Sequence, residues 1–278
     1  MIANRWKLCL KDLAPPLLIK LVKGRKYGYF GNYQSWEVAK RETTGYDTGI
    51  ILEKVKSSLL KVKQGEAVYE RDSVLFDQIQ YSFPLLAGLL RIATKNQGNL
   101  SVLDFGGSLG SSYYQCKNFL SVVGNLTWSI VEQKHFIECG KEFFEDEHLK
   151  FFYSIEDCLR SQNPDVLLLS VVVQYLEQPY SFLEQVIGYN FQHIIVDRTP
   201  FILQGGDRLT IQKVPPEIYP ASYPAWFFDH DRFLQIFQRN YKLIAQFEAL
   251  AGVIQIKQPS TEAIDLGFLF EKIDGILV

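Results

Sequence analysis

The sequence predicts an α/β fold: five parallel strands finished by a C-terminal antiparallel pair, with residues 1–98 forming a helical cap and residues 99–278 forming the main domain. Three observations predict it. Beyond residue 98, short apolar runs alternate with amphipathic ones; the first apolar run ends in a glycine-rich turn; and the tail changes from helical to strand-like periodicity. Strands that alternate with helices at short spacing read as βαβ units, whose parallel strands need right-handed crossovers.

The elements follow in order. Residues 48–62 read as an amphipathic helix, with Ile51, Leu52, Val55, Leu59 and Leu60 at helical spacing. Residues 73–95 read as a second helical region, with a break at Pro84 and a stop at Gln97, Gly98 and Asn99. Strands are expected at 100–105, 126–131, 149–153, 165–170 and 193–197, and helices at 111–123, 134–145, 155–160 and 181–189. The stretch 197–229, rich in Pro, Tyr and Trp, reads as a long connection, and connections of that length are usually functional. A helix at 229–240 then leads to strands at 241–249 and 266–271, joined by a polar loop around Gln258, Pro259 and Ser260.

Composition narrows the function. The chain has 278 residues, of which 47% are hydrophobic and 22% charged, ample for a packed core. A net charge of −2 argues against a nucleic-acid partner, which usually leaves a basic footprint. Cys9, Cys116, Cys139 and Cys158 are scattered, with no CxxC, so neither a zinc site nor a disulfide framework is expected; no metal is, and a reducing, cytoplasmic location fits. Lys7, Lys11 and Asp12 interrupt any signal-peptide-like run, and no apolar stretch is long enough to span a membrane. The opening segment carries Arg5, Lys7, Lys11, Lys20, Lys23, Arg25 and Lys26 against Asp12 alone. Such a segment can lie on an anionic membrane surface, although a solvated helix face is the plainer reading.

The central motif is Val102, Leu103, Asp104, Phe105, Gly106, Gly107, Ser108, Leu109, Gly110. It follows a strand and opens a helix, the setting in which a glycine loop lets a ligand approach the backbone. A dinucleotide pattern GxGxxG read from Gly106 needs glycines where Ser108 and Ser111 stand. The alternative pattern, an acidic residue, an apolar one and then GxGxG, is met by Asp104, Gly106 and Gly110, with Ser108 in place of the middle glycine. A carboxylate there suits the ammonium of S-adenosylmethionine (SAM) and would repel a pyrophosphate. Glu132 ends the next strand, where a carboxylate can accept two hydrogen bonds from a ribose diol, with Gln133 beside it. Ser154 and Ile155 should flank adenine, and Ser170 and Val171 should lie under the sulfonium side.

Taken together, these residues resemble the class I, Rossmann-like methyltransferases, in particular a bacterial SAM-dependent family. The likeness is carried by Tyr69, Glu70, Arg71 and Asp72, by 103–111, by Ile130 to Gln133, by Gln174, Tyr175 and Leu176, by Asp197 to Pro200, and by 215–226. The resemblance implies the fold and the cofactor, and it hints at glycan or envelope biosynthesis.

For the chemistry, Asp197 is the candidate base or orienting group and Arg198 the candidate anion holder. Glu70, Arg71, Gln174, Tyr175 and Tyr223 are candidates for the acceptor, with Tyr219, Trp226 and Phe227 extending an aromatic wall and His230 the best lone imidazole. No NPPY-type motif is present, which disfavours base or amide N-methylation and leaves O-methylation of a small or glycan-linked hydroxyl as the preferred reading. Two other functions stay open: a non-catalytic binding module on this fold, and an NAD(P)-dependent sugar-modifying enzyme.

Overall fold

The structure, a computed structural model, describes residues 26–45, 48–71 and 73–273. The basic segment up to Arg25, and Asp72, lie outside the described residues. In chain order the strands are β1 (Gly28–Tyr33), β2 (Tyr69–Arg71), β3 (Val74–Phe76), β4 (Asn99–Phe105), β5 (Asn125–Val131), β6 (Leu149–Phe152), β7 (Val166–Ser170), β8 (His193–Ile202), β9 (Arg208–Lys213), β10 (Ser222–Asp229), β11 (Tyr241–Lys257) and β12 (Thr261–Lys272). β2 and β3 form a separate hairpin, and the other ten make one sheet in the order β10-β9-β1-β11-β12-β8-β7-β4-β5-β6.

The run β8-β7-β4-β5-β6 is parallel throughout, which explains its composition. Strands covered on both faces read as continuous apolar runs rather than alternating ones. Leu167, Leu168 and Leu169 of β7 are each 0% exposed and divide between two cores. Burying each contributes ~1.5–3 kcal/mol. One core packs helices Thr48–Lys63, Phe83–Lys95 and Lys134–Phe143 on one face; the other packs Ile155–Leu159, Pro179–Gly188 and His230–Phe237. β12 joins β8 antiparallel, and β11 pairs antiparallel with β12.

The sheet is nevertheless not the seven-stranded arrangement expected. β1 pairs with both β11 and β9, and β9 pairs with β10. β10 returns to lie parallel against β8, so β8, β12, β11, β1, β9 and β10 close into a ring. Much of the expected connection 197–229 is thus strand: β8 runs on to Ile202, and β9 and β10 follow. A buried guanidinium ties the ring together. Arg208 donates to the Gly31 carbonyl, the Thr261 hydroxyl and the Pro259 carbonyl.

Other boundaries also move. Residues 73–82 are not helical: Ser73, at a left-handed φ of 66°, turns the β2–β3 hairpin. Pro84 falls in the first turn of helix Phe83–Lys95, where its missing N–H would have no partner in any case. The N-terminal part is therefore a mixture of helices, a hairpin and a sheet strand rather than a purely helical cap. The helix expected at 111–123 is Ser111–Cys116 followed by a 3-10 turn, Phe119–Val122. β11 and β12 are longer than expected, with a register shift between Glu248 and Val253 and a turn through the cis Gln258–Pro259 bond. No helix among the described residues is long and apolar enough to cross a membrane.

Candidate active site

Chain order reverses at β4: β5 and β6 lie on one side of it, β7 and β8 on the other. Ligands of open α/β sheets bind outside the carboxyl ends of the strands at such a switch point. A cavity of about 1150 Å³ opens there. Its wall brings together Phe105, Gly106, Gly107, Ser108, Glu132, Gln133, Ser154, Ile155, Ser170 and Val171 with Glu70, Arg71, Gln174, Tyr175, Tyr223 and Arg198. Asp104, Gly110 and Asp197 stand behind that wall, not on it.

The glycine loop fits under tight constraint. A Cβ on Gly106, whose φ is 75°, would stand 2.4 Å from Val172 Cγ2. A Cβ on Gly107 would stand 2.6 Å from the Asp104 carboxyl. Asp104 is 0% exposed: its Oδ2 accepts from Trp128 Nε1 at 3.0 Å, and its Oδ1 has no partner among the described residues. Burial pushes this carboxyl up to about 7, partly opposed by the Trp128 hydrogen bond and by Arg198. Asp104 therefore sits beneath the loop and off the cavity wall, where a positive charge close by would favour its ionised form.

Glu132 holds the loop from the other side. Its carboxylate accepts from the backbone amides of Gln133 and Ser108, while burial raises its pKa above the usual carboxylate range. Ser108 is left-handed at φ 55°, a conformation glycine would take more easily. Two more such residues stand at the neighbouring strand ends: Val171 at φ 55° after β7, and Arg198 at φ 51° in β8. Left-handed geometry in a β-branched residue is an outlier, and strain of ~1–3 kcal/mol per residue concentrates at functional sites.

Asp197 and Arg198, the candidate base and anion holder, are paired with each other, Nε to Oδ2 at 3.4 Å, and Ser170 Oγ bridges them. Burial raises Asp197 while Arg198 opposes the shift, and Asp197 Oδ1 has no partner among the described residues. Glu70, 2% exposed, accepts from the Ser73 amide and from Ser111 Oγ, each at 2.7 Å. Its carboxylate thus sits at the start of the helix that follows the glycine loop. Arg71 donates to Gln80. Ser154 Oγ caps helix Ile155–Leu159, accepting from the Asp157 amide, which accounts for a serine at that strand end.

On the acceptor side, Gln174 donates to the Arg198 carbonyl, and its buried Oε1 has no partner among the described residues. Tyr175 and Tyr223 pack edge to face at 5.2 Å. Trp226 and Phe227 do not extend this wall: Trp226 donates to the Leu176 carbonyl, and Phe227 is fully buried against Tyr29. His230 is held by Asp231 and Gln246, away from the cavity. Sequence reasoning missed Asp265 and Gln212, both on the cavity wall. Asp265 had a signal: a lone carboxyl among Ala263, Ile264, Leu266, Phe268 and Leu269. Among the described residues, no group of three His, Cys, Asp or Glu side chains could hold a metal ion.

Comparison with known proteins gives likenesses in layout only. No family model matches the chain, and no curated protein matches it. Among solved structures, it is similar to the N-terminal domain of EvdMO1 with S-adenosylhomocysteine (SAH) bound, at TM-score 0.41 and 10% identity, over 67% of this chain and 81% of that one. It is also similar to a Burkholderia thailandensis 1,6-didemethyltoxoflavin-N1-methyltransferase, at TM-score 0.39 and 11% identity, over 83% and 92%. The mitomycin 7-O-methyltransferase MmcR matches at TM-score 0.39 and 13% identity, over 68% of this chain and 53% of that one. At these values the likeness carries no inference about ligand or reaction.

Proposed function

We propose that the protein is a SAM-dependent methyltransferase acting on a hydroxyl of a small or glycan-linked acceptor. The observation that carries this reading is the Glu70 carboxylate at the head of the helix after the glycine loop, hydrogen-bonded to Ser111. In a dinucleotide site that position receives the pyrophosphate. A carboxylate there, with Asp104 beneath the loop and Glu132 beside it, repels phosphate and favours a ligand with positive charge. SAM carries an ammonium and a sulfonium against a single carboxylate.

The residues present fit it. Glu132 would hold the ribose diol, with Ser154 and Ile155 flanking adenine. Gly106 and Gly107, which leave no room for side chains, would lie against the methionyl part, near Ser170 and Val171. The cofactor would supply a methyl group on a cationic sulfur. Arg198, fixed by Asp197 and Ser170, would orient the groups at the reacting end. The cavity exceeds the ~300–1,000 Å³ of a typical single-ligand site, which suits two ligands side by side.

Thermal unfolding with SAM, SAH or NAD tests the reading. A ligand at ~100 times its Kd adds ~2.7 kcal/mol, worth roughly 5–10 °C in Tm for a chain of this size. SAM and SAH should each give such a rise and NAD none. A rise with NAD alone would replace this reading by the oxidoreductase one.

A further inference from the structure

The cavity runs past the glycine loop into the mouth of the closed strand ring, and that end has chemistry of its own. Tyr175 donates to Gln212 Oε1 at 2.7 Å, and Gln212 lies opposite Tyr223 in the β9–β10 register. These three make a polar, aromatic wall. β12 contributes Asp265, 4% exposed and part of the same lining. Its Oδ2 accepts from the Ala251 amide, in the irregular stretch of β11, at 3.0 Å. Its Oδ1 takes no hydrogen bond from the described residues, and Asp265 forms no ion pair among them. The charged groups that act on it are Asp197 and Arg198 of β8; β11 supplies the Ala251 amide, and its nearest carboxylate in the register, Glu248, lies opposite Leu266. Burial pushes its carboxyl up to about 6. A buried carboxyl in an apolar strand, engaged through one oxygen only and facing a cavity, is a candidate for proton transfer.

We propose that Asp265 accepts the proton of a ring-borne hydroxyl group seated against the wall of Tyr175, Gln212 and Tyr223. The assignment rests on the methyltransferase reading. As the acceptor O–H bond breaks, its proton passes to Asp265 Oδ1, and the oxygen forms a C–O bond to the methyl carbon. The electron pair of the breaking C–S bond stays on sulfur, leaving a neutral thioether. Asp265 then returns the proton to solvent, one proton per methyl transferred.

The test is binding rather than turnover. The protein, saturated with SAH, is titrated separately with 4-methylcatechol and methyl α-D-glucopyranoside by saturation-transfer NMR, between about pH 5 and about pH 8. One probe should bind, and which one distinguishes an aromatic from a sugar hydroxyl. A carboxylate accepts a hydrogen bond better than its acid, so affinity should rise severalfold as pH increases through about 6. Asp265→Asn should weaken binding about fivefold or more and flatten that profile, which separates Asp265 from Asp104, Glu132 and Asp197, the neighbouring carboxyls that burial also raises. Failure of both probes to bind, pH-independent binding by the native protein, or an unchanged profile in Asp265→Asn each overturns the assignment. Absence of SAH binding in the first place overturns the methyltransferase reading and the assignment with it.

Discussion

Gly106→Ala is expected to abolish SAH binding and to destabilise the protein severely. Two penalties add. The residue sits at φ 75°, and a Cβ would lie 2.4 Å from Cγ2 and 2.9 Å from Cβ of Val172. Left-handed geometry costs an L-residue ~1–2 kcal/mol, and overpacking a tight site costs ~1–3 kcal/mol more. Val172 cannot readily yield, because it follows Val171, already held in a strained left-handed conformation whose amide donates to the Asp197 carbonyl. The sum, ~2–5 kcal/mol, is a large share of a total stability of ~5–15 kcal/mol. Urea unfolding should show the midpoint falling, and calorimetry should show no SAH heat. Gly188→Ala is the control: it ends helix Pro179–Gly188 with nothing within 4 Å of the added carbon. Equal behaviour of the two variants would show that the loop is not packed as described.

Asp104→Asn is expected to act in the opposite direction on stability. The sign follows from the raised pKa. A carboxyl whose folded pKa lies above its unfolded one is favoured by folding while protonated. That advantage is complete below the ordinary aspartate value of 3.8 and is lost as pH rises through about 7. Each pKa unit is worth ~1.4 kcal/mol, so at pH 8 the ionised Asp104 costs on the order of 2–4 kcal/mol. Asparagine keeps an oxygen for Trp128 Nε1 and removes the charge. Asp104→Asn should therefore raise Tm at pH 8, change it little at pH 4, and weaken SAM more than uncharged-sulfur SAH. A Tm at pH 8 below the native value would mean that Asp104 is a structural anchor rather than a charge held at an energetic cost for a cationic ligand.

The fold was legible where one physical signal dominated. β7 is an almost continuous apolar run because helices cover both of its faces, β4 and β5 are largely apolar over their buried halves, and the glycine loop and Glu132 follow at the carboxyl ends of those two strands. The ring was not legible. β9 pairs with β1, residues distant in sequence, and β10 contains Pro224, which argues against a central strand when only local signals are read. β1 is a short stretch with two glycines and no alternation, stabilised by partners from the far end of the chain. For the site, the identity of Asp104 was readable but not its direction. A strand alternates its side chains, and only the register of β4 between β5 and β7 determines that this one turns under the loop toward Trp128. Asp265 was passed over because it lies on β12, far along the chain from the motif, and reaches the cavity only through the pairing of β12 with β8.

The central claim is that the cleft at the switch point binds SAM through Glu132. Calorimetric titration of SAH into the native protein and into Glu132→Ala tests it most directly. Losing a pair of charge-assisted hydrogen bonds costs ~3–6 kcal/mol, about a hundredfold or more in Kd. Saturable SAH binding that weakens by that factor in the variant, with both proteins equally folded, is the predicted result. Native protein that takes up no SAH, or a variant that binds it as tightly as the native protein does, would contradict the account.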